Sequence, residues 1–182
     1  IGKTVLAEWL IEHASRMGVR TARGICSEAG MPPLWPWNQV LEGLATTRRR
    51  SRLAGNPAAL TLADRESANA AVVSSVTEAA RSQPLLLVVE DLHWADVGTL
   101  LLTRAVADAV GAHQVMLLIT SRAGAGELPP EARGQLAALP TSARRIPLGA
   151  LDQGDVGLVA AAALGRELTD AEARELRART GG

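Results

Sequence analysis

The sequence predicts an α/β fold in which helices cover both faces of a parallel β-sheet. Two apolar runs, residues 85–89 and 115–119, alternate with segments whose apolar residues recur every three or four positions. Continuous apolar runs are typical of strands buried on both faces, as in a doubly wound parallel sheet. Ligands of such sheets bind beyond the carboxyl ends of the strands. Charged residues follow both runs: Glu90 and Asp91 after the first, and Arg122 after the second.

The first third of the chain predicts a helix, a strand and a second, short helix. The spacing of apolar residues after Lys3 predicts a helix that begins at a glycine-bearing turn, and residues 19–26 predict a strand. Three prolines within residues 30–37 exclude a regular helix there, so the short helix is expected over residues 38–45. The arginine-rich residues 48–57 are expected to form a solvated loop rather than a nucleic-acid contact.

A long amphipathic helix is expected before the first apolar strand. Pro84 ends this helix and separates it from the strand. The remaining elements are expected, in order, as a helix over 64–82, a strand over 85–89, a helix over 97–110, a buried strand over 114–120, a loop over 124–130, a helix over 131–139, a strand over 144–148 and helices over 152–164 and 169–179.

Composition limits the classes of protein to which the chain can belong. Its 182 residues suit about one domain, and we expect a core over 1–150 and the start of a helical subdomain over 151–182. A net charge of +0 argues against a global attraction to nucleic acid or to an anionic membrane. The single Cys26 excludes an internal disulfide and favours a cytoplasmic setting with a buried structural thiol. The apolar runs are too short to span a membrane.

Gly2, Lys3 and Thr4 match the end of a phosphate-binding loop. Such a loop needs a helix N-terminus, a lysine for the β and γ phosphates and a hydroxyl for Mg²⁺. Lys3 is the only lysine among the 19 Lys and Arg residues, which favours a place where a compact ammonium is needed. The tripeptide alone is common, and an exposed turn at a helix start would explain it equally.

The strand-end acids Glu90 and Asp91 strengthen that interpretation. A carboxylate at the end of a buried strand can hold the Mg²⁺ of a bound nucleotide, although an acidic turn before a helix is the simpler alternative. Arg122 also ends an apolar strand, where its guanidinium could reach a γ-phosphate; a surface cation is the alternative. Together the three features predict a Mg-nucleotide site. His13, His93 and His113 share no ligand spacing with Cys26, so no zinc site is expected.

These motifs resemble the STAND class of signal-transduction P-loop ATPases, and within it the ATPase domains of large LuxR-type bacterial transcriptional regulators. The resemblance covers essentially the whole chain, and the residues from Glu90 to Asp96 are its most specific part. It rests on Gly2-Lys3-Thr4, PLWPW at 33–37, VVEDLHWAD at 88–96, TSR at 120–122 and RTGG at 179–182.

The resemblance implies an AAA-like P-loop NTPase fold that binds ATP and Mg²⁺ and hydrolyses ATP slowly as a switch. Phosphate would be bound by Gly2, Lys3, Thr4 and Val5, and Mg²⁺ by Thr4 with the acid pair. The first acid, Glu90, would hold Mg²⁺ through water, the second, Asp91, would orient the attacking water, and Arg122 would be the sensor. The family usually has Asp where this chain has Glu90, so the two acids could exchange roles.

The resemblance also implies partners. These are ATP or ADP, other domains of the parent chain, and another copy in a possible homo-oligomer; DNA would be contacted only through a domain outside this chain, and no membrane contact is expected. The chain begins at Ile1, inside the loop, so we expect the sheet strand before the loop to be missing and ATP binding to be weak without it.

Other functions share parts of this pattern. A nucleotide-binding scaffold that does not hydrolyse ATP, or the ATPase domain of a cyclase- or kinase-linked regulator, remains possible. A GTPase is set aside, because its Asn-Lys-x-Asp signature needs a lysine and Lys3 is the only one. The residues from Glu90 to Asp96 argue against a small-molecule kinase.

Overall fold

A computed structural model describes residues 2–45, 62–122, 134 and 143–181, and the side chains within these ranges except at 62–65. The predicted loops over 48–57 and 124–130 lie outside the described residues, as does the predicted helix over 131–139 apart from Gly134. The chain divides into two compact units. The sheet unit is Thr4–Arg144, and the helical unit is Arg145–Gly182 together with Ile1–Lys3.

Helices and strands alternate through the sheet unit, and the helical unit ends in two helices. In chain order the elements are α1 (Lys3–Arg16), β1 (Arg20–Ile25), α2 (Trp35–Leu44), α3 (Leu62–Ala80), β2 (Leu85–Glu90), a 3₁₀ turn (Leu92–Trp94), α4 (Val97–Ala109), a second 3₁₀ turn (Val110–Ala112), β3 (Val115–Ile119), α5 (Gln153–Leu164) and α6 (Asp170–Thr180). Within the described residues, no helix is both long enough and apolar enough to cross a membrane.

The three strands form a parallel sheet in the order β1-β2-β3. In its register Ile25 lies beside Glu90, and Val89 lies beside Ile119. The carboxyl ends of all three strands therefore reach the same edge of the sheet. This confirms the predicted parallel α/β architecture.

The central strand β2 is buried on both faces, as its apolar sequence predicts. Leu86 and Val88 pack with Ala7 and Ala14 of α1 on one face. The alternate residues Leu85, Leu87 and Val89 lie on the other face, under α2, α3 and α4. The fully buried residues that join them there are Trp37, Val40, Val72, Val76, Leu102 and Val106.

The start of α2 corrects the prediction that residues 30–37 exclude a helix. The helix begins at Trp35, with Pro36 in its first turn. Proline is tolerated there because the first N–H groups of a helix have no intrahelical acceptor. Trp37 is then fully buried, and its Nε1 donates a hydrogen bond of 3.0 Å to Thr103 Oγ1.

Two strand predictions were wrong in part or in whole. The strand at 114–120 forms, as Val115–Ile119, but it is not fully buried, because Met116 is 54% exposed. Among the described strands β3 pairs with β2 alone and so lies at an edge. The strand predicted over 144–148 does not form; residues 143–150 are coil and all exposed, and no described strand lies beside them. Alternating apolar residues do not make a strand without a ladder partner.

The helical unit is organised by its helix caps. Asp152 caps α5 by accepting a 2.8 Å hydrogen bond from the Asp155 N–H. Thr169 and Glu172 form a capping box at the start of α6, in which each side chain accepts from the other residue's backbone N–H. Arg166 donates to Glu172 at 2.8 Å and, with Thr169, lowers the pKa of the Glu172 carboxyl to about 2.

Candidate functional site

Glu90 lies at the carboxyl end of β2 and is only 2% exposed. It is on the same face of the sheet as Val88, which packs against α1. Its Oε1 forms an ion pair with Nε of Arg23 on the neighbouring strand β1. The same arginine extends toward α1, where its Nη1 is 3.8 Å from Glu8 Oε1. The negative charge of Glu90 is thus met by a cation from an adjacent strand.

Asp91 follows Glu90 but has a different environment. Its backbone is left-handed, with φ 53° and ψ 42°, a region that non-glycine residues rarely adopt. The Asp91 N–H donates a 3.0 Å hydrogen bond to Thr120 Oγ1, and the Leu92 N–H donates to the Thr120 carbonyl at 2.9 Å. These bonds hold the turn against the end of β3, and the Asp91 side chain is 40% exposed. A strained residue held this firmly at a strand end is typical of functional sites.

Arg122 reaches the same edge of the sheet from β3. Its guanidinium carbon lies 5.7 Å from the centre of the Trp94 ring, within cation–π distance. The His93 ring is 4.9 Å from the Trp94 ring, and His93 Nδ1 is 3.9 Å from Asp91 Oδ1. Asp91 and Arg122 are therefore linked through the two aromatic side chains of the turn.

The predicted phosphate-binding residues lie at the start of α1. Gly2 has φ 84°, a value that favours glycine, and the helix begins at Lys3. Thr4 and Val5 are exposed, Val5 at 70%. The first N–H groups of the helix have no acceptor within it, which is the arrangement that attracts an anion.

The structure thus brings Glu90, Asp91 and Arg122 together at one edge of the sheet. Gly2, Lys3, Thr4 and Val5 are placed together at the N-terminus of α1. In the described part of the chain Thr4 makes no hydrogen bond or ion pair with Glu90 or Asp91.

Two residues of the site were missed by sequence reasoning, Arg23 and Thr120. An arginine within a predicted strand was the available signal for the first, since a charged residue inside a sheet needs a partner. The strand-end position of Thr120, next to Ser121-Arg122, was the signal for the second. Neither signal identifies the residue that Arg23 or Thr120 contacts, because that residue lies at another strand.

Cys26 lies beside the acids without the features of a reactive thiol. Its N–H donates a 3.0 Å hydrogen bond to the Glu90 carbonyl, and its side chain is buried. Burial, with smaller contributions from the charges of Asp96 and Asp91, raises its thiol pKa to about 12. The buried structural thiol expected from the sequence is what the fold contains.

The oxygen atoms at this edge suit Mg²⁺. Magnesium is bound in proteins by one or two carboxylates, with phosphate and water oxygens completing the octahedron. Glu90 and Asp91 supply two carboxylates, and Oε1 of Glu90 is buried with no hydrogen-bond partner among the described residues, although it pairs with Arg23. Among those residues no group of three or more His, Cys, Asp or Glu is arranged as a metal site.

Comparison with known families agrees with this geometry. Residues 1–119, which include α1 and the acid pair, match the AAA ATPase domain family. Comparisons with curated proteins and with solved structures give no significant match. The family match spans more than half of the 182 residues and agrees with the parallel α/β sheet. The chain therefore belongs to the AAA ATPase domain family, the AAA-type P-loop ATPases.

Proposed function

We propose that the chain is an ATP-binding, slowly hydrolysing switch domain of a multidomain regulator of the STAND class, such as a LuxR-type transcriptional regulator. The observation that carries this is the pair of acids at the end of β2, one buried and the other exposed at a turn fixed to β3. The regulator assignment rests on the resemblance of residues 88–96 to that class.

Each site residue has a distinct proposed role. Lys3 and the first N–H groups of α1, with Gly2 and Val5 beside them, bind the phosphates, and the Thr4 hydroxyl is a Mg²⁺ ligand. Glu90 holds the cation through water, and Asp91 accepts a proton from, or orients, the attacking water. Arg122 stabilises charge on the γ-phosphate after leaving the Trp94 ring. Mg²⁺ would be held by Thr4, Glu90 and Asp91, and it would supply positive charge that offsets the negative charge of the phosphates.

Asp91 is placed better than Glu90 for the role beside water. Its carboxylate is 40% exposed, whereas Glu90 is 2% exposed and paired with Arg23. This difference in exposure supports the assignment in which Glu90 holds the cation and Asp91 orients the attacking water.

The experiment is calorimetric titration with Mg·ATP, followed by single-turnover phosphate release. It uses this chain. Lys3→Ala should reduce binding, and Asp91→Asn should leave binding intact while slowing phosphate release at least tenfold. Absence of Mg·ATP binding by the parent chain would refute the proposal.

A scaffold that binds nucleotide without useful hydrolysis is the second candidate. The ion pair of Glu90 with Arg23 favours it, because a carboxylate already paired with a cation is a poorer Mg²⁺ partner. Equal rates of phosphate release in the parent and in Asp91→Asn would select the scaffold.

The remaining proposals concern context. Residues 1–150 form the ATPase core, and residues 151–182 begin a helical subdomain. The protein acts in the cytoplasm. Its partners are other domains of the parent chain and another copy in a homo-oligomer, and DNA is contacted only through one of those domains. Mass spectrometry after limited proteolysis tests the boundary, since cleavage should fall near residue 150.

A further inference from the structure

The face of the sheet that packs against α1 carries one charged cluster in an apolar setting. Arg23 lies beside Val88 in the register, and Glu90 follows on the same face. The neighbours on that face are Leu86, Val88, Ala7 and Ala14. A carboxylate buried among such residues is unfavourable unless it has a partner, and Arg23 is that partner.

We propose that Arg23 is a positioning residue that competes with Mg²⁺ for Glu90 and so sets the Mg²⁺ concentration at which the site loads. This inference rests on the proposed nucleotide-binding function. Arg23 contacts neither the water nor the phosphate in this proposal; it acts through Glu90 alone.

The physical basis is the repulsion between two cations at one buried carboxylate. While Arg23 is paired with Glu90, an incoming divalent cation gains less from that carboxylate and is repelled by the guanidinium. Because the Glu90 side chain is 2% exposed and that of Arg23 34% exposed, salt screens this repulsion only in part. Binding of Mg²⁺ at this site therefore requires Arg23 to move away from Glu90 or to share its charge with another carboxylate.

Glu8 provides the alternative partner for Arg23. It lies on α1, its Oε1 is 3.8 Å from Arg23 Nη1, and its side chain is 59% exposed. When Arg23 leaves Glu90, Glu8 can keep its charge compensated. Glu8 should therefore make loading easier, and its removal should have the opposite effect to removal of Arg23.

Arg20 on the same strand is a matched control. It alternates to the other face of the sheet, where Nη2 donates a 2.6 Å hydrogen bond to the Leu44 carbonyl. Its removal deletes a strand arginine without changing the charge beside Glu90. Any general effect of losing an arginine from β1 should appear in Arg20→Gln as well.

The test is titration of ATP binding with MgCl₂ at a fixed ATP concentration, followed by calorimetry, in this chain. Arg23→Gln should lower the midpoint Mg²⁺ concentration roughly tenfold, within the range that coupled charged neighbours show. Glu8→Gln should raise it a few-fold, and Arg20→Gln should leave it unchanged. In a Glu90→Gln background, Arg23→Gln should have no effect.

Arg23→Lys keeps the positive charge and should remain close to the parent, which separates competition from a packing defect. If Arg23→Gln does not fold, the exposed Glu8→Gln substitution carries the test. Nucleotide binding with the same Mg²⁺ midpoint in all variants would overturn the inference and leave the proposed function standing. Absence of nucleotide binding in the parent chain would overturn the inference and the proposed function together.

Discussion

The two units of the chain are stabilised in different ways. In the sheet unit all six residues of β2 are buried, and Trp37 and Leu102 have no exposed surface. In the helical unit Leu158, Val159 and Leu164 are 60–71% exposed, and Val156, Ala160 and Ala173 are the apolar residues buried among those described. The sheet unit therefore depends on packing between segments distant in sequence. The helical unit combines local caps and charge pairs with side-chain hydrogen bonds from Gln153 to the Asp170 carbonyl and from Arg177 to the Leu151 carbonyl.

This difference predicts how each unit responds to change. A core substitution should destabilise the whole sheet unit, because its packing is shared by several elements. Removal of a helix cap in the helical unit should change the stability of that helix only. Protonation of a charged side chain there should make the helix stability depend on pH.

Trp37→Ala should have the largest effect. Trp37 is fully buried between the sheet and α4 and donates a hydrogen bond to Thr103, so truncation creates a cavity and leaves a buried hydroxyl with fewer partners. We expect a loss of about 3–5 kcal/mol in the free energy of unfolding, measured by urea denaturation. Trp35→Ala, at a side chain 37% exposed, is the control and should cost much less. Equal losses would show that the core does not depend on α2 as described.

Gly24→Ala should come next, because the close packing of β1 against α2 depends on it. A Cβ at position 24 would lie 2.1 Å from the Pro36 carbonyl oxygen, so the backbone must shift. We expect destabilisation of about 1–3 kcal/mol by thermal or urea unfolding. At Gly111 an added Cβ meets nothing within 4 Å, so Gly111→Ala is the control. A neutral Gly24→Ala would contradict the packing of α2 on β1.

Thr169→Ala tests the helical unit. It removes the side chain that accepts from the Glu172 N–H and so breaks half of the capping box. We expect a loss of about 1 kcal/mol, seen as faster amide exchange within α6 and not in β2. Arg174→Ala, at an exposed position of the same helix, is the control. Faster exchange in β2 would contradict the separation of the two units.

Acidification should have the smallest effect, and its sign follows from Glu172. The pKa of this carboxyl is lowered from 4.5 to about 2 by Arg166 and Thr169, so its stabilising contribution is complete above about pH 4.5. That contribution is lost as the pH falls from 4.5 toward 2. Amide exchange within α6 should therefore depend more on pH in the parent than in Glu172→Gln. Identical pH dependence in the two chains would contradict the ion pair.

Much of the fold was predictable from local sequence. The apolar run at β2, the helix after Lys3 and the cap residues Asp96, Asp152 and Thr169 determine elements through neighbours a few residues away. The position of Glu90 and Asp91 at a strand end followed from the same run. The start of α2 was not predicted, because it depends on the tolerance of proline in the first turn of a helix. The edge exposure of β3 was not predicted either, because it depends on how many strands lie beside β3.

For this protein the sequence by itself determined which residues end the strands and so which acids and arginine share an edge of the sheet. Tertiary structure alone decided that Arg23 pairs with Glu90 and that Thr120 holds the left-handed Asp91 turn. The reason is physical: periodicity and caps act between residues close in the chain, whereas these contacts join different strands. Their geometry is set by strand register and side-chain packing, which form only when the sheet assembles.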